Sequence, residues 1–195
     1  MKIIHPDILL DAYSKGLFPM GDSRDSDEVE WYSATERGII PIDKFYASNN
    51  LRRLVKKQTF EVKIDTQFRQ VVEGCADRED TWINDLIIDT FEHMHQLGHA
   101  HSVEVYHEGK LVGGVYGIHY KAAFFAESMF KYYPEADKVA MFYLHHILEK
   151  NGFKLWDAQY YTDHLGKTFG CIEISGDEYL LLLEEALKTE CEFVL

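Results

Sequence analysis

Residues 101–130, HSVEVYHEGKLVGGVYGIHYKAAFFAESMF, alternate apolar and polar side chains over most of their length. This period of two is typical of β-strands that bury one face. Glu108 and Gly109 have the form of a two-residue hairpin turn, so the neighbouring strands are expected to be antiparallel. The strands predicted from this pattern are 101–107, 110–119 and 122–127. The segment therefore predicts a meander at the centre of a sheet.

The residues that follow the meander predict how the sheet is completed. Between residues 136 and 150, apolar side chains recur at helical spacing, which predicts a helix covering one face of the sheet. FKLWDAQ (153–159) then predicts a further strand, and CEFVL (191–195) predicts a last one. Strands that share one main sheet with covering helices indicate a mixed α/β (α+β) fold.

The composition limits the class of protein. The chain has 195 residues, of which 46% are hydrophobic and 14% aromatic, enough to bury the core of one large domain. Its formal net charge is -13, whereas proteins that coat a nucleic-acid duplex carry an excess of Lys and Arg. The charge therefore argues against a duplex-coating protein and leaves open local contact with a small part of an RNA.

Targeting and redox signals favour the cytoplasm. No apolar run approaches the roughly 20 residues that a membrane span needs. The N-terminal segment carries Asp7 and Asp11 within its apolar pattern, unlike a secretory signal. Cys75, Cys171 and Cys191 have no short spacing, which favours free thiols over a disulfide framework or a zinc site. We expect a cytoplasmic, monomeric enzyme with no membrane contact and no bound metal.

Three polar residues stand out in otherwise apolar strands. Asp157 and Gln159 are two apart on a predicted central strand and are therefore expected to point to the same face. Buried there, each needs hydrogen-bond partners, since an unpaired polar group costs about 1–3 kcal/mol. The pair is either functional or a structural polar network. Glu127 ends a strand after two phenylalanines, either as a binding anchor at a pocket rim or as an ordinary strand-end acid.

Two further patterns remain open between a functional and a structural interpretation. Four basic residues fall on one short predicted helix, where they either meet a phosphate backbone or form a solvated face. They are Arg52, Arg53, Lys56 and Lys57. Gly113, Gly114 and Gly117 interrupt a strand, which predicts a bulge or the close approach of a ligand. No phosphate-binding glycine loop of known spacing is present.

Taken together, several stretches resemble the leucyl/phenylalanyl-tRNA–protein transferase family, in the family's order and over nearly the whole chain. They are AYSKGLFPM (12–20), WYSATERGII (31–40), VVEGCADREDTWI (71–83), LGHAHSVEV (97–105), LVGGVYGI (111–118), FFAESMF (124–130) and LWDAQYYTDHL (155–165). The resemblance implies a domain similar to the GCN5-related acetyltransferases over 46–195. Because the chain begins close to the first match, we expect a shortened N-terminal lobe over 1–45.

The resemblance also implies an activity and its partners. The expected reaction moves Leu or Phe from aminoacyl-tRNA onto acceptor proteins with N-terminal Arg or Lys, which marks them for N-degron degradation. No metal or organic cofactor is expected. By position, Gln159 matches the family glutamine beside the reacting ester, with Asp157 orienting it. Glu127 matches the glutamate near the acceptor, where we expect it to hold the cationic N-terminus.

Family positions also supply binding residues. The implied aminoacyl pocket consists of Val115, Phe124, Leu144, Leu148 and Trp156, unless all five are simply core. Met20, where the family often has Trp, and Phe91, where it often has Tyr, are expected to contact the terminal adenosine. Arg37 and the basic helix at 52–57 are expected to meet the acceptor stem.

Two other functions compete with this expectation. One is an N-acyltransferase that uses acetyl-CoA or another acyl-CoA, against which the missing pyrophosphate-binding glycine loop argues. The other is a non-catalytic module that binds basic N-termini, which Asp157 and Gln159 argue against.

Overall fold

A computed structural model describes residues 2–194 of the chain. Its α-helices are α1 (Pro6–Ser14), α2 (Asn49–Lys56), α3 (Phe68–Ala76), α4 (Asp85–Gln96), α5 (Ala136–Lys150), α6 (Asp163–Phe169) and α7 (Gly176–Ala186). Its strands are β1 (Phe18–Gly21), β2 (Val29–Tyr32), β3 (Glu36–Ile39), β4 (Glu61–Ile64), β5 (Ala100–His107), β6 (Lys110–Tyr120), β7 (Ala123–Lys131), β8 (Leu155–Asp157) and β9 (Ile172–Ser175).

The main sheet has the order β4-β5-β6-β7-β8-β3-β9. Strands β4 to β7 are antiparallel neighbours, as the period-two pattern predicts for the last three of them. After β7 the chain crosses over through α5 and returns as β8, which lies parallel to β7. The predicted meander and the mixed α/β class are therefore confirmed.

Helices cover the main sheet on both faces. Phe124 and Phe125 are consecutive on β7 and belong to two different core clusters, because successive side chains on a strand point to opposite faces. Helices α1, α3, α4 and α7 contribute to the cluster of Phe125, and α2 and α5 to that of Phe124. Within residues 2–194, no helix is long and apolar enough to cross a membrane.

Local signals in the sequence determine where several helices begin and end. The side chain of Ser48 accepts a hydrogen bond from the backbone N–H of Leu51 at the start of α2. Asn84 does the same for Ile87 at the start of α4, which is followed by Gly98 in the left-handed region. Each of these residues satisfies a helix end that would otherwise lack a partner.

The predicted last strand, CEFVL, is wrong for the residues described, 191–194, and Leu195 lies outside them. Phe193 is buried, and its ring stacks on those of His101 at 4.3 Å and Phe124 at 5.5 Å. Phe193 is therefore buried by packing on the sheet without pairing of the backbone in a ladder, whereas the neighbouring Val194 is exposed.

The sequence pattern does not predict strands β1, β2 and β3, each of which is only four residues long. β3 lies between β8 and β9, which are more than a hundred residues away along the chain. The division into a lobe of 1–45 and a domain of 46–195 stays a prediction, and β3 joins the first segment to the main sheet.

Candidate active site

The candidate site lies where β7 and β8 separate. The two strands pair over three positions, of which Phe125 opposite Asp157 is the last. β8 ends there, whereas β7 continues to Lys131 along β6. Residues 126–129 of β7 and 158–160 after β8 line an open cavity of about 360 Å³. The divergence of two parallel strands therefore creates the space for a ligand.

A β-bulge places Glu127 at this cavity. The register between β6 and β7 shifts between Tyr116 and Gly117, which makes Glu127 the extra residue of β7. A Cβ on Gly117 would lie 2.3 Å from the backbone oxygen of Phe125, so the close approach at the bulge requires glycine. The bulge that the interior glycines predict is present, and it turns the Glu127 side chain away from the regular alternation.

The Glu127 carboxyl is half-buried and accepts two hydrogen bonds at Oε1. The Tyr13 hydroxyl donates one at 2.6 Å, and the Gln159 side-chain amide donates the other at 3.1 Å. Burial raises the pKa of Glu127 to about 8, and the negative charge of Asp157 adds to the rise. The hydrogen bonds and the Arg37 guanidinium lower the pKa by less. Such a carboxyl changes charge near the pH at which α-amines titrate.

Gln159 lies in a tight turn directly after β8. Its φ is +55°, in the left-handed region, and its backbone N–H donates to Asp157 Oδ1 at 2.8 Å. The expectation that Asp157 and Gln159 share one strand face is therefore wrong, because the strand has ended before Gln159. Among residues 2–194, the Gln159 side-chain carbonyl has no hydrogen-bond donor, which leaves it free to accept one from a ligand.

The turn that carries Gln159 is pressed against β3. The backbone N–H of Gly38 donates to the Gln159 carbonyl, and the N–H of Ala158 donates to the Gly38 carbonyl, both at 2.9 Å. A Cβ on Gly38 would lie 2.7 Å from the backbone nitrogen of Tyr161. A glycine on a neighbouring strand is thus needed for the turn to pass this close.

Asp157 itself is fully buried and does not line the cavity. Arg37 donates to both of its oxygens, from Nε to Oδ1 at 2.9 Å and from Nη2 to Oδ2 at 2.6 Å. The Tyr179 hydroxyl donates to Oδ2 at 2.7 Å. Both oxygens of the Asp157 carboxylate therefore have hydrogen-bond donors, and Oδ1 contacts the turn of Gln159 through the backbone N–H of that residue.

The cavity combines a large apolar surface with a small polar group. Its apolar residues are Phe18, Pro19, Met20, Ile40, Trp82, Val115, Ala126, Met129, Met141, Ala158 and Leu165. Its polar residues are Arg78, Glu127, Ser128, Gln159, Tyr160, Thr162 and His164. This composition suits a ligand with an apolar side chain and a polar reacting end.

Two family models match the chain, leucyl/phenylalanyl-tRNA protein transferase over residues 39–184 and the N-terminal domain of the same transferase over residues 3–34. A leucyl/phenylalanyl-tRNA–protein transferase of Rhizorhabdus wittichii is 47% identical over 191 residues, covering 96% of this chain and 77% of the relative. One of Cereibacter sphaeroides is 45% identical over 188 residues, covering 96% and 87%.

The chain belongs to the leucyl/phenylalanyl-tRNA–protein transferase family. The family and the transferase class predicted from the motifs are confirmed. Among solved structures, the chain is similar to L-PGS from Bacillus licheniformis, with a TM-score of 0.49, 13% identity and coverage of 94% and 71%. It is also similar to a GCN5-related N-acetyltransferase-like protein from Streptococcus suis, with a TM-score of 0.34, 16% identity and coverage of 97% and 64%.

Only one of the five residues expected in the aminoacyl pocket of this transferase lines the cavity, namely Val115. The expectation is wrong for the other four, which are core residues, namely Phe124, Leu144, Leu148 and Trp156. All four are at most 1% exposed and belong to the cluster on the α5 face. They lie behind the cavity wall, because β8 diverges from β7 only after the Phe124–Trp156 pair.

Two residues expected to contact the tRNA are buried. Phe91 is 0% exposed and packs edge-on against Tyr116 at 5.5 Å, so it does not reach the cavity. Arg37 is 1% exposed and is bound to Asp157, so the expectation that it meets the acceptor stem is corrected. Met20, by contrast, lines the cavity, and its contact with the terminal adenosine stays a prediction.

Four basic residues are exposed on and directly after α2, namely Arg52, Arg53 and Lys56 within the helix and Lys57 at its C-cap. Within residues 2–194, none of them has a carboxylate within 4.0 Å, although most other exposed cations of this acidic chain do. Arg52 donates to the Ala47 carbonyl and Arg53 to the Asn50 side chain, which leaves the charges without neutralisation.

The sequence pattern does not single out most of the residues at the cavity, among them Arg78 and Trp82, nor Tyr13 behind it. Trp82 and Arg78 line the cavity, and Arg78 donates to the Ser128 hydroxyl at 2.8 Å. Tyr13 supports Glu127 from α1. The family stretches quoted above contain all three, but their spacing along the chain gives no hint that they converge. Among residues 2–194, no group of His, Cys, Asp and Glu is arranged to hold a metal ion.

Proposed function

We propose that this chain transfers Leu or Phe from aminoacyl-tRNA to the N-terminal Arg or Lys of acceptor proteins. The observation that carries the proposal is the pairing of Glu127 with Gln159 at the cavity, 3.1 Å apart. It sets a carboxyl of raised pKa beside an amide whose carbonyl oxygen is free, with apolar surface around both. An aminoacyl ester and an α-amine need those three features together.

The chemistry needs little activation of the donor. The α-amine nitrogen attacks the ester carbonyl carbon, the new amide bond forms, and the bond to the ribose oxygen of the tRNA breaks. The amine loses a proton, and the ribose oxygen leaves as a hydroxyl that gains one. Holding the two reactants together in the right geometry supplies about 7–11 kcal/mol of the barrier.

Glu127 and Gln159 divide the handling of the amine. The pKa of Glu127, about 8, matches that of an α-amine, about 7.7–8.0, so near this pH the ionised carboxylate is populated and attracts the cationic N-terminus of the acceptor. The Gln159 carbonyl accepts a hydrogen bond from the attacking nitrogen and so points its lone pair at the ester. The matched pKa values let the proton pass between amine and carboxylate at little cost in free energy.

The donor side chain fits the apolar part of the cavity. Val115, Ala126, Met129 and Met141 come from β6, β7 and α5 and surround the space next to Glu127. Methionine side chains are flexible and adapt to ligands of different shape, which suits both Leu and Phe. Met20 and Trp82 also line the cavity and offer a surface for the adenosine.

A transfer assay tests the proposal. Radiolabelled Leu and Phe are offered on charged tRNA to peptides that begin with Arg, Lys or Ala. We expect label on the Arg and Lys peptides and only background on the Ala peptide. Label taken from acetyl-CoA instead would favour the acyl-CoA alternative. Binding of Arg peptides without transfer from any charged tRNA would favour the non-catalytic module.

We expect the basic residues of α2 to bind the acceptor stem. Changing Arg52, Arg53, Lys56 and Lys57 together to Gln should raise the KM for aminoacyl-tRNA at least tenfold with little change in kcat. The slope of log affinity against log salt concentration is negative, and its magnitude should decrease by up to about 3. Each lost phosphate contact reduces this magnitude by about 0.7–0.9. The matched control changes the exposed Lys63, Lys110, Lys150 and Lys188 to Gln. An equal effect in both variants would show that tRNA affinity depends on the net charge of the chain and not on a contact made by α2.

Further expectations about this chain belong to the same proposal. We infer that it works as a monomer in the cytoplasm, without a metal or organic cofactor. The product, a protein with an added N-terminal Leu or Phe, is expected to enter N-degron degradation.

A further inference from the structure

Arg37 joins four distant parts of the chain in the interior. Its Nη1 donates to the backbone carbonyl of Gly16 at 2.9 Å, while Nε and Nη2 bind Asp157. Its Cζ lies 4.8 Å from the ring centroid of Phe18 and 4.3 Å from that of Tyr179. The guanidinium thus contacts the loop after α1, strands β1 and β8, and helix α7, and is only 1% exposed.

A buried ion pair of this kind is a poor source of stability by itself. The loss of hydration on burying two charges often cancels their attraction, and a well-packed apolar pair of similar volume performs as well. The bidentate pair of Arg37 and Asp157 instead fixes the orientation of the Asp157 side chain. A planar guanidinium that holds both oxygens fixes the plane of the carboxylate, which a single hydrogen bond does not.

The fixed carboxylate contacts the turn of the active site through one of its oxygen atoms, Oδ1. Asp157 Oδ1 accepts from Arg37 Nε at 2.9 Å and also from the backbone N–H of Gln159 at 2.8 Å. Gln159 adopts a φ of +55°, which costs free energy for a residue other than glycine and persists only when its surroundings enforce it. Its side chain then reaches Glu127 across the cavity.

We propose that Arg37 is a positioning residue of the transfer reaction. Through Asp157 it holds the turn that places the Gln159 side chain beside Glu127, and it makes no contact with tRNA. The inference rests on the proposed function of Gln159. Tyr179, whose hydroxyl donates to Asp157 Oδ2 and lies 3.3 Å from Arg37 Nη2, supports the same carboxylate from α7.

The test compares Arg37→Lys with the wild-type chain in the transfer assay, after circular dichroism has shown that both are folded. Lysine keeps the positive charge but lacks the planar guanidinium that donates to both carboxylate oxygens. We expect kcat to fall about 10- to 100-fold, the range for a small misplacement of a reacting group, with the KM for aminoacyl-tRNA within twofold. Arg69→Lys, which alters an exposed arginine paired with Glu73, Asp89 and Glu92, is the matched control and should leave both constants unchanged.

A double-mutant cycle identifies the route. If Arg37 acts through Gln159, adding Arg37→Lys to Gln159→Ala should lower kcat by less than twofold further. Full additivity would overturn the inference, as would an unchanged kcat in a folded Arg37→Lys. A raised KM for aminoacyl-tRNA, with a weaker dependence of affinity on salt, would instead indicate that Arg37 contacts the tRNA. Should Arg37→Lys not fold, Tyr179→Phe replaces it, with an expected 3- to 10-fold fall in kcat that is likewise lost in Gln159→Ala.

A second readout does not depend on activity. The side-chain amide signal of Gln159 in a ¹H–¹⁵N spectrum is assigned by its loss in Gln159→Ala. We expect this signal to shift or broaden in Arg37→Lys and to stay in place in Arg69→Lys. An unmoved signal would overturn the inference. If the wild-type chain transfers nothing but the signal moves, the proposed function fails while the positioning of Gln159 by Arg37 stands.

Discussion

Asp157→Asn is expected to reduce transfer more than 100-fold and to destabilise the fold at the same time. The amide removes the charge opposite Arg37 and leaves a guanidinium buried without its counter-ion, which costs about 3–5 kcal/mol. An amide oxygen is also a weaker hydrogen-bond acceptor than a carboxylate oxygen for the backbone N–H of Gln159. The measurements are the free energy of unfolding by urea and kcat at a temperature where the variant is folded.

The matched control is Asp11→Asn. Asp11 pairs with Lys15 at 2.6 Å on the exposed surface of α1, where an ion pair contributes about 0–1 kcal/mol. We expect this variant to resemble the wild-type chain in both stability and transfer. A loss of less than 1 kcal/mol in Asp157→Asn, or transfer at the wild-type rate, would show that the buried carboxylate does not hold the site.

Glu127→Gln is expected to lower transfer to Arg peptides at least tenfold while leaving the fold intact. Glutamine has the same shape, and its carbonyl oxygen still accepts from the Tyr13 hydroxyl and the Gln159 amide. Unlike Glu127, whose pKa is about 8, it does not ionise near that pH to attract an N-terminal cation, and it takes no proton from the amine. The measurement is kcat/KM for the acceptor peptide at saturating aminoacyl-tRNA, and unchanged transfer would remove Glu127 from the acceptor site.

The same variant also has a stability signature that does not depend on function. Because the pKa of Glu127 is raised to about 8, the folded chain keeps a proton between pH 4.5 and 8 that the unfolded chain releases. The stability from this proton is complete below the unfolded pKa and is lost as the pH rises to 8. Glu127→Gln should therefore gain about 1 kcal/mol or more relative to the wild-type chain between pH 5 and pH 9. No pH-dependent gain would show that the carboxyl is not buried as described.

The sequence by itself determined the elements whose pattern is local. The alternation over 101–130 fixed the meander, the helical spacing over 136–150 fixed α5, and Ser48 and Asn84 fixed helix starts. The interior glycines predicted a bulge or the close approach of a ligand, because the lack of a Cβ matters only where another group comes near the backbone, and the structure has the bulge. The family motifs predicted the transferase, because several short stretches in a fixed order are far more specific than any one of them.

Only the tertiary structure decided which of the predicted residues meet. The sequence is compatible with Phe124 and Trp156 lining a pocket or lying in the core. Which of the two locations they occupy depends on where strands β7 and β8 diverge. Arg37 carries the charge that an RNA contact needs, but β3 inserts between β8 and β9 and buries it on Asp157, 120 residues away. Spacing along a chain predicts neighbours within one element, whereas contacts between elements depend on how the whole sheet is assembled. For this reason the sequence predicted the transferase family, whereas the structure showed which of the predicted residues lie together at the cavity.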